Sequence, residues 1–208
     1  MLTRTALAAL LIFLPVPALA QERFPDIPVD RQSPAQRDAI EKIVTSPRKS
    51  MRGPFNAWIR NPELATRVAD VGRYLRFESP LPARLREFVI LATARFWGAQ
   101  FEWYAHYPLA VEAGLPTAVI EDMRAGRIPA GMRADERIAY EMIAELRRDH
   151  RLSDATFAKA KSVLGESALV EVVVLAGYYD LVAMTLLAAD VQAPGDEQPL
   201  PRIADRGK

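Results

Sequence analysis

Two acidic residues and a histidine near the middle of the chain have a spacing that suits proton transfer. The stretch "QFEWYAHYP" at residues 100–108 contains Glu102 and His106, one of only two histidines in the 208 residues. If this stretch is helical, the two side chains lie on one face at positions i and i+4, close enough to share a proton or hold a common ligand. An imidazole gives or takes a proton near neutral pH, and a carboxylate fixes its tautomer and stabilises its charged form. The pattern therefore indicates a candidate site for acid–base chemistry.

A second carboxylate, Glu87, lies on the preceding predicted helix, in "PARLREFVILATARFWGAQ". Only a short turn at Gly98 separates the two helices, and helices with so short a connection pack antiparallel. Glu87 is therefore expected beside the other two residues. Each residue also has a purely structural interpretation, which the sequence leaves open: Glu87 paired with Arg84 or Arg86, Glu102 on a solvated helix face, and His106 as a hydrogen-bonded core histidine.

A metal site is a further interpretation of the same three residues, because imidazoles and carboxylates are common ligands. One histidine and two carboxylates, with no second histidine or cysteine, make a thin ligand set, and we expect neither a metal nor a cofactor. The other histidine, His150 in "RRDHR", lies at a predicted helix end. We interpret it as a positive group near the C-terminal helix dipole, without a role in function.

Composition excludes two classes of function. The 27 basic and 26 acidic residues are scattered along the chain and leave a net charge of +1, without the basic stripe that phosphate backbones require. Nucleic acid is therefore not an expected partner. The sequence contains no cysteine, which excludes thiol chemistry and disulfide bonds.

The first twenty residues have the pattern of a secretory signal peptide. Arg4 precedes an apolar run from Ala6 to Leu14, and "ALA" at residues 18–20 resembles a cleavage site. The alternative is a membrane anchor, but the apolar run is shorter than the roughly 20 residues needed to cross a bilayer. We expect a periplasmic or secreted protein that begins near Gln21 and has no membrane association after cleavage.

The remaining chain divides into three predicted parts. Residues 21–61 form an arm rich in proline, with a short helix in "SPAQRDAIEKIVT". Its aromatic residues, Phe55 and Trp58, either plug the core or lie against a neighbouring subunit. A helical domain follows at residues 62–192, and residues 193–208 form a tail that we expect to be flexible.

Periodicity predicts an all-α domain. Apolar residues recur at three and four positions, and no stretch alternates with a period of two. The last apolar run, "ALVEVVVLAGYYDLVAMTLLAA", is long and unbroken by turn residues, which favours a buried helix, and Glu171 and Asp180 within it argue against a membrane span. The predicted helices of the domain cover residues 62–77, 82–97, 100–113, 117–125, 135–150, 154–164 and 166–190.

The segment "LREFVILATARFWGAQFEWYAHYPLAVEAGLPTAVIEDM" resembles the carboxymuconolactone decarboxylase family, which includes the alkylhydroperoxidase D-like proteins. Members have a glutamate after an arginine-rich helix start, a short loop, and a second helix with a glutamate or two cysteines before a histidine. Glu87 matches the helix glutamate and His106 the histidine. Ala99 and Glu102 occupy the two cysteine positions of the peroxidase branch, so the resemblance excludes its thiol relay and implies the E-x-x-x-H pattern of the decarboxylase branch.

The resemblance implies an all-helical fold of the alkylhydroperoxidase D-like type, assembled as a trimer or hexamer with active sites near subunit contacts. It also implies a cofactor-independent carboxy-lyase acting on a small carboxylated lactone or unsaturated acid. In this interpretation His106 is the proton donor, Glu87 orients it, and Glu102 is a substrate-facing acid or base. The alternative is an exported, non-catalytic binding or assembly protein on the same scaffold.

The remaining candidate site residues concern substrate binding. Aromatic side chains near the motif are candidate pocket walls, although each could instead pack in the core. An arginine could bind a substrate carboxylate, or form a surface salt bridge. The residues in question are Trp97, Trp103, Tyr104 and Tyr107 for the walls, and Arg84 and Arg95 for the carboxylate.

Overall fold

The computed structural model describes residues 23–195 and 198–201. These residues form eight α-helices and no β-strand, which confirms the predicted all-α fold. The predicted signal peptide, at residues 1–20, and the end of the tail, at residues 202–208, lie outside the described residues.

All the helices expected from periodicity are present. A 3₁₀ turn (Val29–Arg31) precedes the first helix, and a π-helical turn (Tyr74–Glu78) extends the third. The α-helices are α1 (Pro34–Thr45), α2 (Phe55–Trp58), α3 (Pro62–Arg73), α4 (Ala83–Trp97), α5 (Gln100–Glu112), α6 (Thr117–Arg124), α7 (Ala134–Asp149) and α8 (Asp154–Ala189). Within α8, Gly165 has φ 78° and ψ 165°, a conformation open essentially to glycine alone, so the helix is interrupted at the residue where the sequence predicts a stop.

The turn between α4 and α5 positions the candidate site. Gly98 ends α4 in the left-handed conformation (φ 69°), and its amide bonds to the last turn of the helix. Ala99 is the N-cap residue of α5, which packs back against α4. On the inner face of α4, Leu85, Phe88 and Val89 are at most 1% exposed, so α4 is fixed in the core and its polar residues keep a defined direction.

Helix α8 is the central element of the fold and packs against both α4 and α7. By length and apolar composition alone it could cross a membrane, but core helices of globular proteins meet the same criteria. Its two acidic residues have partners inside the protein. The Glu171 carboxylate accepts hydrogen bonds from the hydroxyls of Tyr74 (2.6 Å) and Ser79. Asp180 forms an ion pair with Arg147 (2.6 Å).

The aromatic residues of the arm pack into the core of their own chain. Phe55 is 2% exposed and Trp58 is 7% exposed. The Trp58 indole donates a hydrogen bond to Thr185 Oγ1 on α8 (3.0 Å), and α1 packs against α3. The structure thus supports the interpretation in which these aromatics fill the core. Their rings are removed from water there, and the indole N–H has a hydrogen-bond partner.

Part of the tail is more firmly held than the sequence suggests. Leu200 is 1% exposed, and its amide and carbonyl both bond to the Gln100 side chain, at 2.8 and 3.0 Å. The Pro199 carbonyl accepts a hydrogen bond from Arg124 (2.8 Å). The expectation of a flexible tail therefore does not hold at residues 199–200, since an apolar side chain there has a site in the core.

Candidate functional site

A cavity of about 700 Å³ lies between the arm, α3, α5 and α8. Glu102 and His106 both line it, and so do aromatic side chains from α5 and α8. The volume falls within the range of pockets that bind small molecules. The two motif residues on α5 therefore face a space that can hold a ligand.

Glu87 and His106 form a buried pair between α4 and α5. Glu87 Oε2 lies 2.7 Å from His106 Nδ1, and the side chains are 13% and 8% exposed. The structure thus brings together the carboxylate and imidazole that the short turn is expected to place side by side. Arg84 and Arg86, the alternative partners of Glu87, bind other groups: Arg84 binds acidic residues of α7, and Arg86 donates to backbone carbonyls.

The imidazole of His106 is held in its neutral form. Burial, the largest cause, lowers the pKa of His106; the charge and the hydrogen bond of Glu87 raise it, and the charges of Arg76 and Arg48 lower it. With Nδ1 donating to the Glu87 carboxylate, Nε2 is left as an acceptor. The Tyr179 hydroxyl lies 3.4 Å from Nε2, and the two rings meet edge to face with centroids 5.2 Å apart.

Glu102 is a buried carboxyl group without a partner. It is 2% exposed, and neither carboxyl oxygen has a hydrogen bond among the described residues, including one to His106. Burial raises the pKa of Glu102 well above its usual range; the charge of Asp180 raises it too, and that of Arg147 opposes the shift. Glu102 lines the cavity, but both of its carboxyl oxygens are buried, and the protonated form is favoured because an unpaired carboxylate there would be strongly disfavoured.

Three of the four candidate aromatic residues line the cavity, namely Trp103, Tyr104 and Tyr107. Trp103 is 1% exposed and belongs to the core as well, whereas Tyr104 is 42% exposed. Trp97 does not line the cavity. Its indole N–H donates to Asp180 Oδ1 (2.6 Å), so it serves the contact between α4 and α8.

The two candidate arginines are directed away from the cavity. Arg84 forms buried ion pairs with Asp135 (2.6 Å) and Glu136, which tie α4 to the start of α7. The Arg95 guanidinium packs against Gly126, with one nitrogen 2.8 Å from where a Cβ would stand. Neither residue lines the cavity. For Arg84 the alternative interpretation as a salt bridge applies, but its ion pairs are buried and do not lie on the surface.

Among the cavity residues that sequence reasoning missed are Arg48, Arg76, Tyr178 and Tyr179. The paired tyrosines carried a usable signal, because they are polar aromatics within an otherwise aliphatic core helix. Burial raises the pKa of Tyr178 to about 12 and that of Tyr179 well above its usual range, so both keep their protons. The arginines carried no such signal, since only the folded chain brings the arm close to the end of α3.

No group of three or more His, Asp or Glu side chains suitable for a metal ion occurs in the part of the chain that the structure describes. The side chains at the cavity can supply acid–base chemistry: they include a buried acid, an imidazole oriented by a carboxylate, and two phenolic hydroxyls.

Comparison with known proteins agrees with the motif. The profile of the carboxymuconolactone decarboxylase family matches residues 62–145, which include Glu87, Glu102 and His106. No curated protein matches the sequence. A crystal structure of a protein of unknown function from Agrobacterium tumefaciens, described as a candidate antioxidant defence protein AhpD, has a TM-score of 0.61 with 18% identity, covering 70% of this chain and 100% of that chain.

At this identity the crystal structure shows a shared fold and nothing about activity, whereas the family profile covers the residues that carry the motif. The absence of cysteine separates this chain from any relative that relies on paired thiols. The predicted resemblance is therefore confirmed: residues 62–145 match the model of the carboxymuconolactone decarboxylase family, and the fold is AhpD-like.

Proposed function

We propose that the protein is a cofactor-independent carboxy-lyase that removes carbon dioxide from a small carboxylated lactone or unsaturated acid. The observation that carries this proposal is the Glu87–His106 hydrogen bond of 2.7 Å beside a buried, unpartnered Glu102 at the wall of a cavity. The match of residues 62–145 to the family model supports the reaction class, and the arrangement of the three side chains supports proton transfer.

In the proposed reaction, the bond between the substrate and its departing carboxylate breaks, and carbon dioxide leaves. The electron pair of that bond remains on the organic fragment as a delocalised dienolate. Glu102 then gives its proton to the dienolate carbon and is reprotonated from water. The raised pKa of Glu102 supports this role, because a carboxyl group has to hold its proton until the carbanion forms.

His106 has a different role in this scheme from the one that the sequence favours. A neutral imidazole whose Nδ1 proton points at Glu87 is a weak proton donor but a good acceptor at Nε2. We therefore propose that His106 orients the substrate or relays the proton through Nε2, with Glu87 fixing its tautomer. Tyr179, 3.4 Å from Nε2, would be the neighbouring member of the relay.

The test is turnover by the purified protein on a panel of carboxylated lactones and unsaturated acids. We expect one carbon dioxide released for each substrate lost, without any added cofactor and with the rate unchanged by a chelator. Methyl esters of the same compounds are the matched control, since they cannot lose carbon dioxide. If the folded protein released no carbon dioxide from any of these compounds, the result would contradict the lyase and favour the non-catalytic binding protein.

We further propose that the mature chain is exported and assembles with copies of itself. The predicted signal peptide supports export. An exposed apolar face on α8 supports assembly: Val170, Val174, Leu181 and Met184 recur at helical spacing and are 57%, 46%, 41% and 56% exposed. A second copy of α8 is the proposed cover, because a contiguous apolar patch is unfavourable in water and typical of subunit contacts.

Leu181→Glu is expected to dissociate the assembly into monomers, because a charge in an apolar interface loses its water without gaining a partner. Light scattering after size-exclusion chromatography should show a trimer or hexamer for the wild type and a 23.2 kDa species, less any cleaved leader, for the variant. Ile128→Glu is the control, since Ile128 is 68% exposed but not on α8. A monomeric wild type, or an unchanged mass for Leu181→Glu, contradicts this interface.

A further inference from the structure

The wall of the cavity carries an excess of positive charge. Five arginines line it, against two glutamates. Of the two, Glu102 favours its neutral form, and Glu121 is paired with Arg124 (3.4 Å). A further arginine of the wall, Arg73, is bound to Glu78. The three that have no carboxylate partner among the described residues are Arg48, Arg52 and Arg76.

Of the three, Arg76 is the one that is half-buried and makes no side-chain hydrogen bond among the described residues. It lies on the π-helical turn after α3, and it is half-buried. Its guanidinium stacks over the Phe77 ring, 4.9 Å from the centroid, and makes no hydrogen bond or ion pair within the described part of the chain. A guanidinium has five N–H donors, and those of Arg76 are all free to bind a ligand in the cavity.

Arg48 approaches the same cavity from the arm and is rigidly held. Its Nε donates to the Ser50 carbonyl (3.0 Å) and its Nη2 to the Arg52 carbonyl (2.6 Å). The guanidinium lies over the buried Phe55 ring, 3.9 Å from the centroid. These contacts fix its orientation and leave Nη1 without a partner among the described residues, as in a preorganised binding group.

The two guanidiniums lie close enough to influence each other and the candidate site. Burial lowers the pKa of Arg48 to about 10, with the charge of Arg76 as the next cause. Both charges also lower the pKa of His106. Two like charges that face one cavity without a counter-ion are unfavourable, and an anion between them removes that cost.

We propose that Arg48 and Arg76 together bind a carboxylate of the ligand, and that this carboxylate is the one that remains on the product. The first part stands on two guanidiniums that have no carboxylate partner among the described residues: Arg76 offers its whole fork, and Arg48 offers Nη1. The second part rests on the proposed lyase function. An ion pair to the departing carboxylate would stabilise the substrate more than the transition state and would slow its loss.

The arm is thereby a part of the binding site. Arg48 lies outside residues 62–145, the region that the family profile matches, whereas Glu87, Glu102 and His106 lie inside it. Residues 62–145 thus supply the acid–base groups and Arg76, and the arm supplies Arg48, the second arginine of the proposed anion site.

Calorimetric titration of the full-length protein with adipate, hexanoate and hexanamide tests the subsite without turnover. Adipate and hexanoate are expected to bind, and hexanamide is not. Arg76→Gln should weaken adipate binding on the order of tenfold or more, because it removes charge-assisted hydrogen bonds. Arg67→Gln is the matched control: Arg67 lies on α3, is exposed, pairs with Glu63 and does not line the cavity.

A second variant, Arg48→Lys, keeps the charge but loses the fork, and it should weaken adipate binding less than Arg76→Gln does. The subsite is overturned if Arg76→Gln binds adipate as tightly as the wild type, if hexanamide binds as tightly as hexanoate, or if the wild type binds neither acid at millimolar concentration. Carboxylate binding that depends on Arg76, without carbon dioxide release, upholds the subsite and rejects the lyase. Carbon dioxide release by Arg76→Gln with the KM of the wild type upholds the lyase and rejects the subsite.

Discussion

Glu102→Gln is expected to lose nearly all turnover and yet to unfold less readily than the wild type at neutral and alkaline pH. The amide has the shape of the carboxyl group but no proton acidic enough to give to a carbanion. General acid catalysis contributes roughly 10²- to 10⁴-fold to rates, and we expect kcat to fall by an amount in that range. Substrate binding should change little, because Glu102 makes no hydrogen bond that the substitution would break.

The gain in stability follows from the sign of the pKa shift. Unfolding returns Glu102 to its ordinary pKa of 4.5, whereas burial raises the pKa in the folded protein well above that value. Between these two pKa values the folded protein keeps a proton that the unfolded chain has released. Stability from this group is complete below pH 4.5 and is lost as the pH rises, by about 1.4 kcal/mol per pH unit until the raised pKa is passed.

Urea unfolding of both proteins from pH 4.5 to pH 9 measures this effect. The free energy of unfolding of Glu102→Gln, relative to wild type, should grow as the pH rises above 4.5. Glu112→Gln is the control, because Glu112 is an exposed residue of the same helix. A variant with wild-type kcat would remove Glu102 from the mechanism. A difference in stability that does not depend on pH would show that the carboxyl group is ionised in the folded protein.

His106→Gln is expected to lower kcat by roughly 10²-fold or more, since it removes the acid–base group at Nε2 while filling much of the same space. Glu87→Gln should give an intermediate loss, because the imidazole stays but its tautomer is no longer fixed by a carboxylate. The control is His150→Asn. His150 is an exposed residue that ends α7 in the left-handed conformation (φ 58°), which asparagine also adopts readily, so activity should be unchanged.

NMR titration of the two histidines separates an orienting role for Glu87 from a merely structural one. Glu87 raises the pKa of His106 through its charge and its hydrogen bond, against the larger effect of burial. Glu87→Gln should therefore lower the pKa of His106 below its wild-type value. An unchanged His106 titration, in a variant that folds, would contradict the pairing.

The same pair affects stability at acidic pH. The pKa of His106 is lowered from 6.5 in the folded protein, so its contribution to stability is complete above pH 6.5. As the pH falls below that value, His106 of the unfolded chain binds a proton, whereas the buried imidazole of the folded protein does not. The free energy of unfolding should then decrease by about 1.4 kcal/mol per pH unit until the folded-state pKa is reached. In His106→Gln this acid-dependent decrease should be absent.

Local features of the sequence were sufficient to predict the helices and the motif. Apolar periodicity located the helices, and Gly98 and Gly165 located a helix end and an interruption, because these effects depend on a few neighbouring residues. The spacing of Glu102 and His106 placed both on one side of α5, and a turn of two residues brought Glu87 on α4 to His106. The identity of the acid–base groups was thus determined by short-range geometry.

Other properties of the site depend on residues that are distant in sequence, and only the tertiary structure decided them. Arg84 does not line the cavity, because it forms ion pairs with two carboxylates at the start of α7. Arg48 and Arg76 both line the cavity, because the arm packs close to the end of α3. Tyr179 reached His106 across 73 positions of sequence. The protonation of Glu102 has the same origin: the sequence specifies a carboxyl group, but its charge is set by burial, and burial is a property of the packed protein alone.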